Sequence, residues 1–149
     1  MNEKHITVLR HGERSDYAGL IPKLNKYDPE LTDKGKKQAL LTGELIKSHF
    51  DQEGLHGLNI AILCSPFART IQTAKNVIEA MGLNNDILID NSFAEYIDQS
   101  FENNHPINFL TVYNKIDELR EDLGSTKLVY LDEELPVSED EEKVRDRII

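Results

Sequence analysis

The chain has 149 residues, 39% hydrophobic and 30% charged, enough for one domain with a real core and too few for two. A formal net charge of −10 and a sequence pI near 4.9 argue against a general binder of nucleic acid or of anionic membranes, so an anionic ligand must enter a local basic pocket. The single cysteine, Cys64, cannot close an internal disulfide, and no apolar run suits a signal peptide or a membrane span; the expectation is a soluble, cytoplasmic protein.

In chain order, residues 5–9 form a short β-branched apolar run that leads into a polar, glycine-containing turn, which predicts a buried first strand entering a functional loop. From Thr32 a capped helix follows, with Ala39, Gly43, Ile46 and Phe50 recurring at three- and four-residue steps on one inward face. Residues 58–64 predict a second strand ending at Ser65-Pro66, where serine can cap and proline can open a helix. That helix carries Ile71, Ala74, Ile78 and Met81 inward and stops at Gly82. Residues 87–89 predict a third strand.

The alternation of strand and helix favours a parallel sheet covered by helices, whose ligands sit at the carboxyl ends of the strands. Further on, residues 97–106 are polar and asparagine-rich, an excursion over the surface. A helix with Val112, Ile116, Leu119 and Leu123 on one stripe closes at Gly124. The acidic run 132–142 reads as a solvated face. Ser138 and Glu141 form a capping box opening a last helix, which reaches only Ile149.

The chemistry concentrates in Leu9-Arg10-His11-Gly12-Glu13-Arg14. Two arginines held within one loop repel each other unless an anion or a carboxylate neutralises them, and their planar donors match phosphate oxygens in pairs. Glu13 is one candidate neutraliser, and a surface salt-bridge cluster is the competing reading. Arg69 lies in the first turn of the helix after residue 64, near backbone N–H groups that favour an anion. A cation there opposes the helix dipole, which calls for a functional reason. Cys64 reads as a small core residue, Gly35 as a point of close backbone packing, Ser15 as a possible phosphate contact, and His5, His49, His56 and His105 as structural or surface residues.

Taken together, Arg10-His11-Gly12, Leu31-Thr32-Asp33-Lys34-Gly35, the block Ser65-Pro66-x-x-Arg69-x-x-Gln72-Thr73-Ala74, and Phe93-Ala94-Glu95-Tyr96 resemble the histidine phosphatase superfamily in order and spacing. The resemblance implies a phosphoglycerate-mutase-like, three-layer α/β/α fold with a mostly parallel sheet. It implies a phosphoric monoester hydrolase in which His11 becomes phosphohistidine. Arg10, Arg14 and Arg69 would bind the phosphoryl oxygens, with Arg10 and Arg69 joining His11 and Glu95 in the catalytic set, and Glu95 would donate a proton to the leaving oxygen. That role calls for a carboxyl whose setting raises its pKa. No metal or cofactor is required, and the partner is a phosphorylated small molecule or phosphopeptide.

The motif Arg-His-Gly-Glu-Arg is more like phosphatases related to the suppressors of T-cell receptor signalling than like glycolytic mutases, whose Asn and Phe-x-Gly-Trp elements do not occur; a phosphoglycerate mutase is disfavoured. The family's second pocket histidine, in a late His-Gly, has no counterpart. Residues 1–149 therefore read as a single domain lacking the last strand and helix, with strand one exposed at an edge and a homodimer as one consequence. Three expectations stay open: an active phosphatase whose chain has been shortened, a catalytically weak or inactive short form that binds phosphorylated ligands or partners, and, least favoured, an unrelated acidic-tailed interaction protein that carries these motifs by chance.

Overall fold

The structure is a computed structural model, and the residues it describes are 4–22, 28–95 and 122–131. Helix α1 (Asp33–Gln52) starts where its sequence signal says: Thr32 stays extended, at φ −71° and ψ 166°, and its hydroxyl accepts the Gly35 N–H at 2.9 Å. A cap of this kind contributes about 1 kcal/mol. Strand β1 (Ile62–Cys64) leads to helix α2 (Ala68–Met81), which ends at Gly82 with φ 71°, a left-handed conformation that glycine adopts without penalty. Strand β2 (Ile87–Ile89), a short 3₁₀ turn (Asn91–Phe93) and strand β3 (Leu128–Tyr130) complete the described elements.

The three strands form a parallel sheet in the order β1-β2-β3, with Cys64 beside Ile89 and Ile89 beside Tyr130. This is the parallel α/β arrangement expected from the alternation of elements. Cys64, Ile87 and Ile89 point to one face and join Ala68, Ile71, Ile78 and Leu123 in the core. Ile71, Ile87 and Ile89 are fully buried, each contributing about 1.5–3 kcal/mol by removing its side chain from water. Helix α1 packs on α2 through small residues. A Cβ placed on Gly43 would lie 2.7 Å from both the Ala80 Cβ and the Val77 carbonyl oxygen, so the two backbones approach closely only because this position is glycine.

Several expectations need correction. Residues 5–9 are not a strand: Ile6 and Val8 are 87% and 89% exposed, and no described strand runs beside them. An extended segment becomes a strand only when a neighbour takes up its N–H and C=O groups, which local sequence cannot guarantee. The second strand is shorter than residues 58–64 because its partner β2 has only three residues; below Ile62 the Ile60 carbonyl accepts from Asn85 Nδ2 instead, at 2.7 Å. Ile46 and Phe50 are half-buried, so only Gly35, Ala39 and Gly43 of α1 are buried.

Strand β3 was not anticipated, although Leu128-Val129-Tyr130-Leu131 carries a β-favouring apolar run. The loop at 97–106, most of the helix before Leu123, the acidic run and the capped helix from Ser138 lie outside the described residues. Of these, Leu123 is buried and Gly124 takes the left-handed conformation expected of a helix stop, with φ 60°. No helix among the described residues is long and apolar enough to cross a membrane.

Candidate active site

The loop bearing His11 is fixed against the start of α1 by two glycines. A Cβ on Gly12 would lie 2.4 Å from the Gly35 carbonyl oxygen, and a Cβ on Gly35 would lie 2.4 Å from the Glu13 carbonyl oxygen. Neither position tolerates a side chain unless backbone moves, so Gly35 serves close packing, as its sequence context suggests. Glu13 then locks the loop in place. Its carbonyl accepts the Thr32 N–H at 3.0 Å, its carboxylate accepts from the Thr32 hydroxyl at 2.9 Å and from Lys34 Nζ at 2.8 Å, and its N–H donates to Gln38 Oε1 at 2.9 Å. The Gly12 N–H donates to Thr73 Oγ1, tying the same loop to α2.

Glu13 is therefore not the neutraliser of the arginine pair. Arg14 is neutralised instead by Asp16, whose two oxygens accept from Arg14 Nε at 3.0 Å and Nη2 at 2.7 Å, while the Tyr17 ring lies 4.3 Å from the guanidinium carbon. The carboxylate two positions along takes the Nε–Nη2 edge of the guanidinium with both oxygens, whereas the adjacent Glu13 side chain is directed back to α1.

His11 is half-buried, and its Nδ1 lies 2.7 Å from the Gly12 carbonyl oxygen. A carbonyl oxygen only accepts, so Nδ1 carries the proton and the lone pair is left on Nε2. Burial holds the imidazole below its ordinary pKa; the Gly12 hydrogen bond works the other way, and the charges of Arg69, Arg14 and Arg10 push it down further. The ring is thus favoured as the neutral, nucleophilic form, surrounded by three cations from two parts of the chain.

Arg69 emerges from the first turn of α2, with its side chain only 4% exposed. Its guanidinium carbon lies 4.2 Å from the centre of the Phe67 ring, Nη1 donates to Asp28 at 3.4 Å, and Nη2 pairs with Glu95 at 2.5 Å. Glu95 follows the 3₁₀ turn after β2, and its charge also acts on Arg14. Its side chain is 61% exposed and is engaged by a cation.

The helix start is also occupied differently from expectation. Phe67 is the N-cap and supplies no side-chain cap; instead both carboxylate oxygens of Asp28 accept the Ala68 N–H at 3.0 Å. The anion that offsets Arg69 at the positive end of α2 thus comes from within the chain. The structure brings His11, Arg14, Arg69 and Glu95 into one electrostatic neighbourhood, while Arg10 is exposed and takes part through its charge on His11. Thr73 stands in the motif of residues 65–74, but neither its bond to Gly12 nor the roles of Asp16 and Asp28 can be read locally, and nothing in the sequence marks Asp28 as the cap of a helix 40 residues on. Among the described residues, Ser15 Oγ and Arg69 Nε are buried with no hydrogen-bond partner, and no group of three or more metal-binding side chains occurs.

The model of the histidine phosphatase superfamily, branch 1, matches residues 6–148. The chain belongs to that superfamily. No curated protein matches it significantly. Among solved structures, the ecdysone phosphate phosphatase of Bombyx mori, in complex with tungstate, superposes with a TM-score of 0.62 at 18% identity over 92% of this chain. This histidine phosphatase chain spans 61% of the length of that structure. A mycobacterial glucosyl-3-phosphoglycerate phosphatase aligns at 17% identity over 80% of this chain and 70% of its own, with a TM-score of 0.42. The first likeness agrees with the phosphoglycerate-mutase-like α/β fold.

Proposed function

We propose that the chain acts as a metal-independent phosphomonoesterase through a phosphohistidine at His11. The observation that carries this reading is the Nδ1 hydrogen bond to the Gly12 carbonyl, which leaves Nε2 as the nucleophile amid the charges of Arg69, Arg14 and Arg10. Nε2 attacks phosphorus as the bond to the leaving oxygen breaks, and the carboxyl of Glu95 gives that oxygen a proton. Water then attacks the phosphohistidine, the P–N bond breaks, and the water's proton passes to the Glu95 carboxylate. Arg10, Arg14 and Arg69 hold the nonbridging oxygens and offset charge during both transfers.

In this reading the substrate's phosphoryl group takes the Nη2 edge of Arg69 from Glu95, and the carboxyl is released beside the leaving oxygen. The substrate is a phosphorylated small molecule or phosphopeptide. The test is phosphate release from aryl phosphates, with a His11→Ala control. Release by wild type and none by the variant supports the proposal. Equal rates together with vanadate binding that depends on Arg69 would replace it with a phosphate-binding role.

A further inference from the structure

Asp28 is 3% exposed and accepts from Nη1 of Arg69, while Glu95 pairs with Nη2. Its carboxylate joins two things at once: the backbone N–H of Ala68 and the side chain of the next residue, Arg69. The orientation of the guanidinium is thereby referenced to the axis of α2. Phe67 supports its plane from below, at 4.2 Å.

The two carboxylates on Arg69 differ in accessibility. The Asp28 side chain is 4% exposed and the Glu95 side chain 61%. An anion arriving from solvent can replace the outer partner, while the inner one stays. An arginine side chain left free to sample its rotamers loses conformational entropy when it is fixed on a ligand. A guanidinium already held does not pay that again.

Resting on the phosphate-site reading, we propose that Asp28 is a positioning residue: it holds Arg69 in the orientation that receives a tetrahedral dianion. The rival role is simple charge neutralisation, and the two have opposite signs. If Asp28 only cancels charge, removing it leaves a more positive pocket that binds an anion more tightly. If it positions Arg69, removing it weakens the anion.

Sulfate, whose charge does not change between pH 5 and pH 8, is the probe, and calorimetric titration the measurement. Weaker sulfate binding by Arg69→Ala than by wild type establishes the site itself; no such difference would sink the phosphate-site reading and this one with it. With the site established, Asp28→Asn should weaken sulfate about ten-fold when Arg69 is present and leave it unchanged in the Arg69→Ala background. Unchanged or tighter binding by Asp28→Asn overturns positioning, and so does an equal loss in both backgrounds.

A second measurement needs no change at Asp28. In a background carrying both His11→Ala and Glu95→Gln, where neither of those side chains titrates, the ratio of sulfate affinities with and without Arg69 reports what Arg69 contributes. The charged groups acting on Asp28 are Arg69, Arg14 and Glu30, and burial pushes its carboxyl up to about 6. The ratio should fall between pH 7.5 and pH 5 as Asp28 takes up a proton, whereas a constant or rising ratio overturns the proposal.

Discussion

Asp28 and Arg69 lie 41 residues apart in sequence and meet as an ion pair whose side chains are each 4% exposed. Burial dominates the carboxyl, raising it from 3.8 to about 6 despite the Ala68 hydrogen bond and the charges of Arg69 and Arg14. A group with a raised folded pKa contributes stability that is present below its unfolded value and lost as pH rises through the folded one. Wild type should therefore lose stability relative to Asp28→Asn as pH rises from about 4 through about 6. Thermal unfolding checks this. Asp28→Asn should melt no lower than wild type at pH 7.5, with its advantage shrinking at pH 5; a large loss at pH 7.5 would show that the ion pair outweighs the desolvation.

Glu95 engages Arg69 through Nη2. Glu95→Gln keeps the shape and removes the transferable proton, so phosphoenzyme formation should slow about 100-fold for alkyl phosphates and little for nitrophenyl phosphate. Single-turnover kinetics across a leaving-group series measure this. Equal slowing across the series would remove Glu95 from the role of acid.

Gly35→Ala places a methyl 2.4 Å from the Glu13 carbonyl oxygen. The His11 loop must then move off α1, breaking the Thr32 N–H bond to that carbonyl. A loss of about 1–3 kcal/mol in denaturant unfolding, with weaker vanadate binding, is expected. Unchanged stability and binding would mean that the loop is not held by this contact.

Cys64 is buried at the end of β1, where burial pushes its thiol up to about 11, and its Sγ lies 3.2 Å from the Ser65 carbonyl oxygen. Iodoacetamide at pH 8 should label it slowly in the native protein and rapidly after unfolding. Equal rates in the two states would contradict the placement of β1 in the core.

The parts legible in the sequence are those governed by local signals. The Thr32 cap, the Gly82 stop and strand β2 follow from caps, φ preferences and short apolar runs, each contained within a few residues. What local signals could not supply is pairing and capping at a distance. Residues 5–9 have strand composition but no strand partner among the described residues, and β1 ends where β2 ends. The site shows the same division. His11, Arg14, Arg69 and Glu95 stand in motifs that can be read in order, whereas the carboxylates holding the arginines depend on how the loops fold. Asp16 displaces Glu13 as the partner of Arg14 because Glu13 is committed to Thr32 and Lys34.

In the proposed phosphatase, Nε2 of His11, with Nδ1 protonated by its bond to Gly12, faces a phosphoryl group held by Arg69. Nitrogen NMR of protein labelled at histidine, titrated with orthovanadate, tests it at the reacting atom. The His11 resonances, assigned by their loss in His11→Ala, should show a protonated Nδ1 at pH 7 together with a large vanadate-induced change at Nε2, absent in Arg69→Ala. A proton found on Nε2, or vanadate that binds without moving that resonance, would rule out His11 as the nucleophile.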